Sequence, residues 1–134
     1  MAKLVFDASA VIALFDSSNV HHSWALDVYR ANGDADFLIP AITYAEILVH
    51  PAKAKKLQSF VTSMAKAGFE IVEIEGTTAE NIAATRATTD LKMPDAIVLA
   101  IAQDVNGTLV SADKVLVSKA KSSKAKAMTP WSKL

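Results

Sequence analysis

Short apolar segments alternate with longer helical patterns along almost the whole chain, and this alternation limits the folds that the sequence can adopt. Helical spacing of apolar side chains is clearest in residues 20–31 and 94–105, the second of which is apolar on nearly every side. Strands that alternate with helices favour a mostly parallel sheet covered on both faces. We therefore predict an α/β fold. The predicted strands are residues 4–7, 36–39, 69–74, 108–111 and 127–129.

Two local patterns make sharper predictions. Residues 43–50 have the spacing of a short helix that Pro51 ends, and residues 52–67 form a separate helical stretch. Thr77 and Glu80 have the spacing of a capping box, which predicts that Thr77 opens a helix extending to about residue 87.

Length and composition exclude several classes of protein. The 134 residues form one domain with no repeat or linker, and a hydrophobic fraction of 51% excludes a disordered chain. The absence of cysteine excludes disulfides, thiolate catalysis and zinc–thiolate sites. The N-terminal apolar stretch is too short for a signal peptide, and no run approaches the ~18–20 apolar residues that cross a bilayer. We expect a cytoplasmic protein that does not enter membranes.

Four carboxylates stand where an apolar segment ends or a helix begins. Asp7 and Asp113 follow apolar strands, Glu46 lies shortly after the second strand, and Asp95 opens an apolar helix. In an open α/β sheet the carboxyl ends of parallel strands share one edge, where ligands bind. Clustered carboxylates repel one another, and hard divalent cations such as Mg²⁺ or Mn²⁺ relieve that repulsion. The pattern predicts a metal-dependent site for phosphoryl transfer.

Three of the four acids, taken singly, also have a structural explanation. Asp7 and Asp113 could cap the helices that follow them, and Asp95 could interact with the dipole of its helix. Glu46 lacks that explanation because it lies mid-helix beside apolar neighbours. The four together favour a site, because burying unpaired carboxylates carries a large desolvation cost.

Two serines and several lysines are further candidates. Ser9 and Ser111 each lie two residues from an acid, and they either orient carboxylates or a metal-bound water, or form turns. Residues 114–134 contain six lysines and no acid, whereas residues 1–113 hold eight bases against fourteen acids. A basic tail beside acids suits a polyanionic substrate, and a solvated surface is the alternative. The candidate phosphate contacts are Lys92, Lys119, Lys121, Lys124 and Lys126.

Four ordered motifs carry a resemblance to a known family. They are VFDASA at residues 5–10, YAEI at 44–47, LKMPDA at 91–96 and LVSAD at 109–113. Each motif alone is weak, but the ordered set resembles the PIN-domain nucleases over nearly the whole chain. It is similar in particular to the small VapC-type toxins of bacterial and archaeal toxin–antitoxin pairs.

The resemblance implies a fold, an activity and partners. The fold is an α/β/α sandwich in which residues 1–134 form a single PIN-like domain, and the activity is that of a Mg²⁺- or Mn²⁺-dependent endoribonuclease. It also implies a homodimer and inhibition by an antitoxin whose C-terminal segment lies in the active-site groove. The family's acidic residues correspond to Asp7, Glu46, Asp95 and Asp113, and its Ser/Thr before the last acid corresponds to Ser111. Many relatives carry a further acid shortly after the last aspartate, where this chain continues Lys-Val-Leu-Val.

Hydrolysis of RNA phosphodiester bonds by the toxin of a type II toxin–antitoxin system is the predicted function. A housekeeping RNA-processing nuclease of the same family would share these residues, and an inert PIN scaffold that only binds is a further alternative. An aspartyl-phosphate phosphatase would require an acid at position 9, where the chain has serine. A phosphoacceptor receiver domain would require an acidic pair near the end of the first strand, which this chain lacks.

Overall fold

A computed structural model describes residues 1–131, and a five-stranded sheet forms its centre. Every strand pairing is parallel, and the strand order is β3-β2-β1-β4-β5. The strands are β1 (Lys3–Phe6), β2 (Asp36–Pro40), β3 (Phe69–Val72), β4 (Thr108–Val110) and β5 (Lys126–Met128). The predicted α/β fold with a parallel sheet is therefore confirmed, and no antiparallel pairing occurs within residues 1–131.

Helices cover both faces of the sheet. The helices are α1 (Ala8–Phe15), α2 (His22–Ala31), α3 (Ala41–Lys53), α4 (Leu57–Lys66), α5 (Gly76–Thr89), α6 (Met93–Asp104) and α7 (Lys114–Ser122). One hydrophobic cluster joins the sheet to α1, α2, α3 and α4, and a second joins it to α5, α6 and α7. This arrangement is the α/β/α sandwich that the family resemblance implies.

The three central strands, β1, β2 and β4, are apolar on both sides because each contributes to both clusters. Val5 belongs to the cluster that includes α5, α6 and α7, whereas its neighbours Leu4 and Phe6 belong to the opposite cluster. Alternate side chains of a strand point to opposite faces, so a strand buried on both faces must be apolar throughout. On one face, Phe6 makes edge-on contacts with Phe37 and Phe69, at centroid distances of 5.8 and 5.0 Å.

Helix α6 lies across the centre of the second face. All seven residues from Ala96 to Ala102 are buried, which confirms the prediction of a helix surrounded by protein. The helix ends at Asp104, and Asn106, with a positive φ of 53°, forms a Schellman motif with Gly107. Gly107 is required because a Cβ there would lie 2.7 Å from the Lys3 carbonyl oxygen. Within residues 1–131, no helix is both long and apolar enough to span a membrane.

The strand order creates a crevice between β1 and β4. The chain proceeds from β1 outward to β2 and β3, and then returns to the other side of β1 to form β4 and β5. At such a topological switch point the connections after the two central strands diverge to opposite faces, which leaves a crevice at their carboxyl ends. The residues that follow Phe6 and Val110 are therefore placed at the entrance of this crevice.

Two local predictions were wrong. Helix α3 continues through Pro51 to Lys53, because the Ala54 amide still bonds the His50 carbonyl, 3.0 Å away. The interruption comes at Lys55, where a positive φ of 59° gives a Schellman ending. The capping box does not form either. Helix α5 begins at Gly76, after the cap residue Glu75, so Thr77 lies inside the first turn.

Candidate active site

Asp7 is the most constrained acid of the site. It follows β1, is only 4% exposed, and caps α1 by accepting a hydrogen bond from the Ala10 amide to Oδ1 at 2.9 Å. The Ser9 hydroxyl donates to the same oxygen at 2.7 Å, and the Ser111 hydroxyl donates to Oδ2 at 2.6 Å. Three donors from two strand ends therefore hold this carboxylate in one orientation.

The two serines also connect the loops after β1 and β4. Ser9 Oγ accepts a hydrogen bond from the Ala112 amide at 2.9 Å, and Ser111 Oγ accepts one from the Asp113 amide at 3.0 Å. Each hydroxyl therefore donates to Asp7 and accepts from the loop that carries Asp113. Both serines therefore orient the Asp7 carboxylate through hydrogen bonds, and neither acts only as a turn residue.

Burial raises the pKa of Asp7 from its usual 3.8 to about 6. The loss of hydration is the largest cause, and the negative charge of Asp113 raises the pKa further. The hydrogen bonds from Ser111, Ser9 and Ala10 act in the opposite direction, because they stabilise the ionised form. A helix cap accounts for one of these hydrogen bonds, but it does not explain why a carboxylate is buried beside another acid.

The other three acids meet Asp7 in one cavity. Asp113 caps α7 by accepting a hydrogen bond from the Leu116 amide at 3.0 Å. Asp95 lies half-buried in the first turn of α6, and Glu46 is exposed on α3. All four predicted acids line a cavity of about 290 Å³, so the structure brings them together at the crevice between β1 and β4. Its other lining residues are Ala8, Ser9, Ile12, Thr43, Pro94 and Val98.

Mutual repulsion links the acids across this cavity. Burial raises the pKa of Asp95, and the negative charges of Asp113 and Glu46 raise it further. The nearby cation is Lys92, at the start of α6, which lowers the pKa of Asp95 but is the smallest of the four causes. The cavity therefore holds more negative charge than the protein compensates, which favours a bound cation.

The chemistry of the lining groups fits a hard divalent ion. The polar side chains of the cavity are carboxylates and hydroxyls, which are the oxygen ligands that Mg²⁺ and Mn²⁺ prefer. Within residues 1–131, no three His, Asp or Glu side chains are close enough to hold a metal ion as they stand. Asp7 is fixed by its hydrogen bonds, so the accessible side chains of Glu46 and Asp95 are the ones free to adjust.

Sequence reasoning missed two residues near the site. Thr43 is 2% exposed and lines the cavity one helical turn before Glu46. The spacing of three residues on one helix gave the signal that the two side chains share a face. Lys114 follows Asp113 directly, and its amine lies 5.0 Å from the ring centroid of Trp131.

The structure separates the predicted phosphate contacts. Lys92 begins α6 near the carboxylates, and Lys119 and Lys121 lie on α7, which starts at the carboxyl edge of the sheet. Lys124 follows α7, and Lys126 begins β5 at the opposite, amino edge. Lysines that are close in sequence are therefore distributed between two edges of the sheet, because α7 runs antiparallel to the strands.

A model of one protein family covers most of the segments that form this fold and all those that carry these acids. A family model described as PIN domain matches residues 4–122. The chain belongs to the PIN domain family. The match includes all four cavity acids and both serines, and it confirms the resemblance drawn from the ordered motifs.

The solved structures that resemble this one include toxin–antitoxin complexes and a toxin. A toxin–antitoxin complex from Klebsiella pneumoniae is 33% identical over 82% of this chain and 86% of that chain, with a TM-score of 0.67. DNA-bound VapBC from Salmonella typhimurium is 13% identical over 96% and 98%, with a TM-score of 0.75. The Sarcin-Ricin loop cleaving toxin VapC20 from Mycobacterium tuberculosis is 11% identical over 86% and 93%, with a TM-score of 0.71. A comparison with curated proteins found no match.

Proposed function

We propose that this PIN-domain protein is a Mg²⁺- or Mn²⁺-dependent endoribonuclease that hydrolyses phosphodiester bonds. One observation carries the proposal: four carboxylates from separate segments line a single cavity at the switch point of the sheet. Two of them, Asp7 and Asp95, have raised pKa values because burial and neighbouring acids disfavour their ionised forms. Such repulsion destabilises the protein when no ion is bound. A functional role for these carboxylates explains why they are found together.

The residues that would hold the ion are Asp7, Glu46, Asp95 and Asp113. A bound divalent ion supplies charge neutralisation at the scissile phosphate and a water of lowered pKa. Asp7 contributes a carboxylate whose orientation is fixed by Ser9 and Ser111. Asp95 and Glu46 present accessible carboxylates at the cavity wall, where they can bind an ion or orient water.

Histidine takes no part in the proposed chemistry. None of the three histidines lines the carboxylate cavity. His22 Nδ1 lies 2.8 Å from the Ala13 carbonyl oxygen, and the ring of His21 packs against Trp131. A histidine general base is therefore not available at the acids. An aspartyl-phosphate mechanism is also disfavoured, because position 9 carries a serine whose hydroxyl is engaged with Asp7 and Ala112.

Membership of the PIN domain family supports nuclease activity, and we further propose a substrate class and a protein partner. RNA is the substrate that the resemblance to VapC-type toxins implies. The 33% identical protein from Klebsiella pneumoniae was solved as a toxin–antitoxin complex, which supports a toxin role and a cognate antitoxin for this chain. We propose that the protein acts in the cytoplasm as a homodimeric toxin of a type II toxin–antitoxin system.

A nuclease assay with a matched pair of variants tests the proposal. The purified protein should cleave RNA when Mg²⁺ or Mn²⁺ is present and lose activity when a chelator is added. Asp95→Asn should reduce the rate by more than about 100-fold, since residues that merely support metal ligands contribute 10–100-fold. Asp104→Asn is the control, because Asp104 is an exposed acid at the other end of α6. Cleavage that survives the chelator, or that Asp95→Asn leaves intact, would contradict the proposal.

A further inference from the structure

We propose that one face of α7 binds the sugar–phosphate backbone of single-stranded RNA beside the carboxylate cavity. The proposal rests on the proposed endoribonuclease function and assigns a path to its substrate. We call this face the basic strip. It consists of Lys114, Ser118, Lys121 and Ser122, which together line a groove of about 580 Å³.

Helical spacing places the four side chains of the basic strip on one face. Residues three, four, seven and eight positions apart on an α-helix share a face, and Ser118, Lys121 and Ser122 lie four, seven and eight positions after Lys114. The two lysines are separated by about 10 Å along the helix axis, which is seven residues at 1.5 Å each. Each ammonium group offers three hydrogen-bond donors and the serine hydroxyls offer one each, which suits phosphate oxygens.

No acid on α7 itself balances the charge of the basic strip. Residues 114–131 contain no acid, so no carboxylate lies on α7 or in the segment that follows it. Leu116 and Val117 bury another side of the helix. Helix α7 therefore presents cations at the surface while its apolar side anchors it to the sheet.

Continuity with the cavity determines what the basic strip would bind. Asp113 lines the carboxylate cavity and caps α7, and Lys114 is the next residue. An RNA strand that leaves the cavity along α7 meets Lys114 first and Lys121 two helical turns later. A polyanion whose phosphodiester is positioned at the acids therefore has its neighbouring phosphates at the lysines.

An aromatic ring adjoins the basic strip at its cavity end. The Lys114 amine lies 5.0 Å from the Trp131 ring centroid, which is a cation–π contact. Trp131 also makes an edge-on contact with His21, at a centroid distance of 5.4 Å. An aromatic ring beside a lysine is the combination with which proteins bind single-stranded nucleic acid, because bases stack on the ring while phosphates meet the cation. This favours RNA over an acidic protein segment.

The chain offers a control with the same charge change at the other edge of the sheet. Lys124 lies in the turn after α7, and Lys126 is the first residue of β5. Both residues are exposed, and both lie at the amino edge, away from the carboxylate cavity. Replacing this pair changes net charge as much as replacing Lys114 and Lys121 does.

The experiment measures RNA binding in the absence of hydrolysis. The Asp7→Asn protein is titrated with a short oligouridine in the presence of a chelator, at several salt concentrations. Lys114→Gln combined with Lys121→Gln should weaken binding and lower the slope of log K against log salt by about 1.4, since each phosphate contact on a single strand contributes about 0.7. Lys124→Gln combined with Lys126→Gln should leave the slope unchanged.

Tryptophan fluorescence provides a second measurement. The sequence has two tryptophans, so Trp24→Phe leaves Trp131 as the single reporter. Oligouridine should change its emission, and the change should require a higher oligouridine concentration when Lys114 and Lys121 are replaced.

Three outcomes would overturn the proposal. The salt slope could be unaltered in the strip variant, or it could fall equally in both lysine pairs, which would indicate only a non-specific charge effect. Replacement of Lys114 and Lys121 could instead weaken binding of an acidic peptide and spare RNA, which would assign the strip to a protein partner. The nuclease assay separates this proposal from the proposed function. An inactive wild-type protein would refute the proposed function. An active wild-type protein, combined with an unaltered salt slope in the strip variant, would refute RNA binding by the basic strip alone.

Discussion

Replacing Asp7 by asparagine should remove a specific part of the pH dependence of stability. Burial raises the pKa of this carboxyl to about 6 in the folded protein, whereas its usual value is 3.8. A group whose pKa is higher in the folded state stabilises the fold when it is protonated. Its contribution is therefore complete below pH 3.8 and is lost as the pH rises through about 6.

The magnitude follows from the difference between the two pKa values. About two pKa units correspond to about 3 kcal/mol between full protonation and full ionisation. Between pH 8 and pH 5 the protonation of Asp7 should add about 1 kcal/mol to the free energy of unfolding. The asparagine variant has no such group, so the wild-type protein should gain about this amount relative to the variant over the same interval.

The variant should also fold well at pH 8. An amide oxygen can accept the hydrogen bonds from Ser9 and Ala10, and the amide nitrogen can donate to the Ser111 hydroxyl in place of the present bond to Oδ2. The substitution removes both the cost of a buried charge and the repulsion from Asp113. We therefore expect the metal-free variant to be at least as stable as the wild-type protein at this pH.

Urea denaturation with a chelator present, repeated from pH 8 to pH 5, measures the difference. Asp27→Asn, an exposed position on α2, controls for the loss of one charge. A wild-type minus Asp7→Asn difference that stays constant over this interval would mean that Asp7 ionises equally easily in the folded and unfolded chains. The assignment of a desolvated, repelled carboxylate at this position would then be wrong.

Three further predictions concern the metal, the serine bridge and the core. Millimolar Mg²⁺ or Mn²⁺ should raise the melting temperature of the wild-type protein, because an ion that binds only the folded state stabilises it. The rise should be smaller in Asp7→Asn and Asp113→Asn. Equal rises in all three proteins would contradict binding at these acids. Ser111→Ala should cost about 1–3 kcal/mol in urea denaturation, because it leaves Asp7 Oδ2 buried without its donor, and it should raise the pKa of Asp7 further. Gly107→Ala should cost about 1–3 kcal/mol, because the added Cβ would lie 2.7 Å from the Lys3 carbonyl oxygen; an unchanged urea midpoint would show that β1 moves freely at that point.

Local patterns were sufficient to predict the layers of this fold. Strands buried on both faces need continuous apolar segments, so β1, β2 and β4 could be recognised from three or four residues each. Helix α6 was recognisable for the same reason, since all its residues from Ala96 to Ala102 are buried. Patterns failed where two local signals compete. A proline and the hydrogen bond from Ala54 to His50 act against each other in α3, and only the packed chain shows that the helix continues.

The acids of the candidate site were also predictable, because parallel strands place their carboxyl ends at one edge whatever the strand order. Sequence alone therefore identified Asp7, Asp95 and Asp113 as neighbours, although they are up to 106 residues apart. The pKa values of these acids, in contrast, could be derived only from the tertiary structure. The raised pKa of Asp7 depends on burial and on the distance to Ser111, and neither of these quantities is encoded by position along the chain.

The tertiary structure alone decided which lysines accompany the acids. In the sequence, Lys114 through Lys126 form one basic segment of similar composition. Because α7 runs back across the sheet, Lys114 lies at the carboxyl edge beside Asp113, whereas Lys126 begins a strand at the amino edge. The sequence determined the fold class, the acids and the total charge, since these follow from residue type and local spacing. The direction of each segment relative to the sheet determined which charges can act together, because electrostatic interactions depend on distance in space.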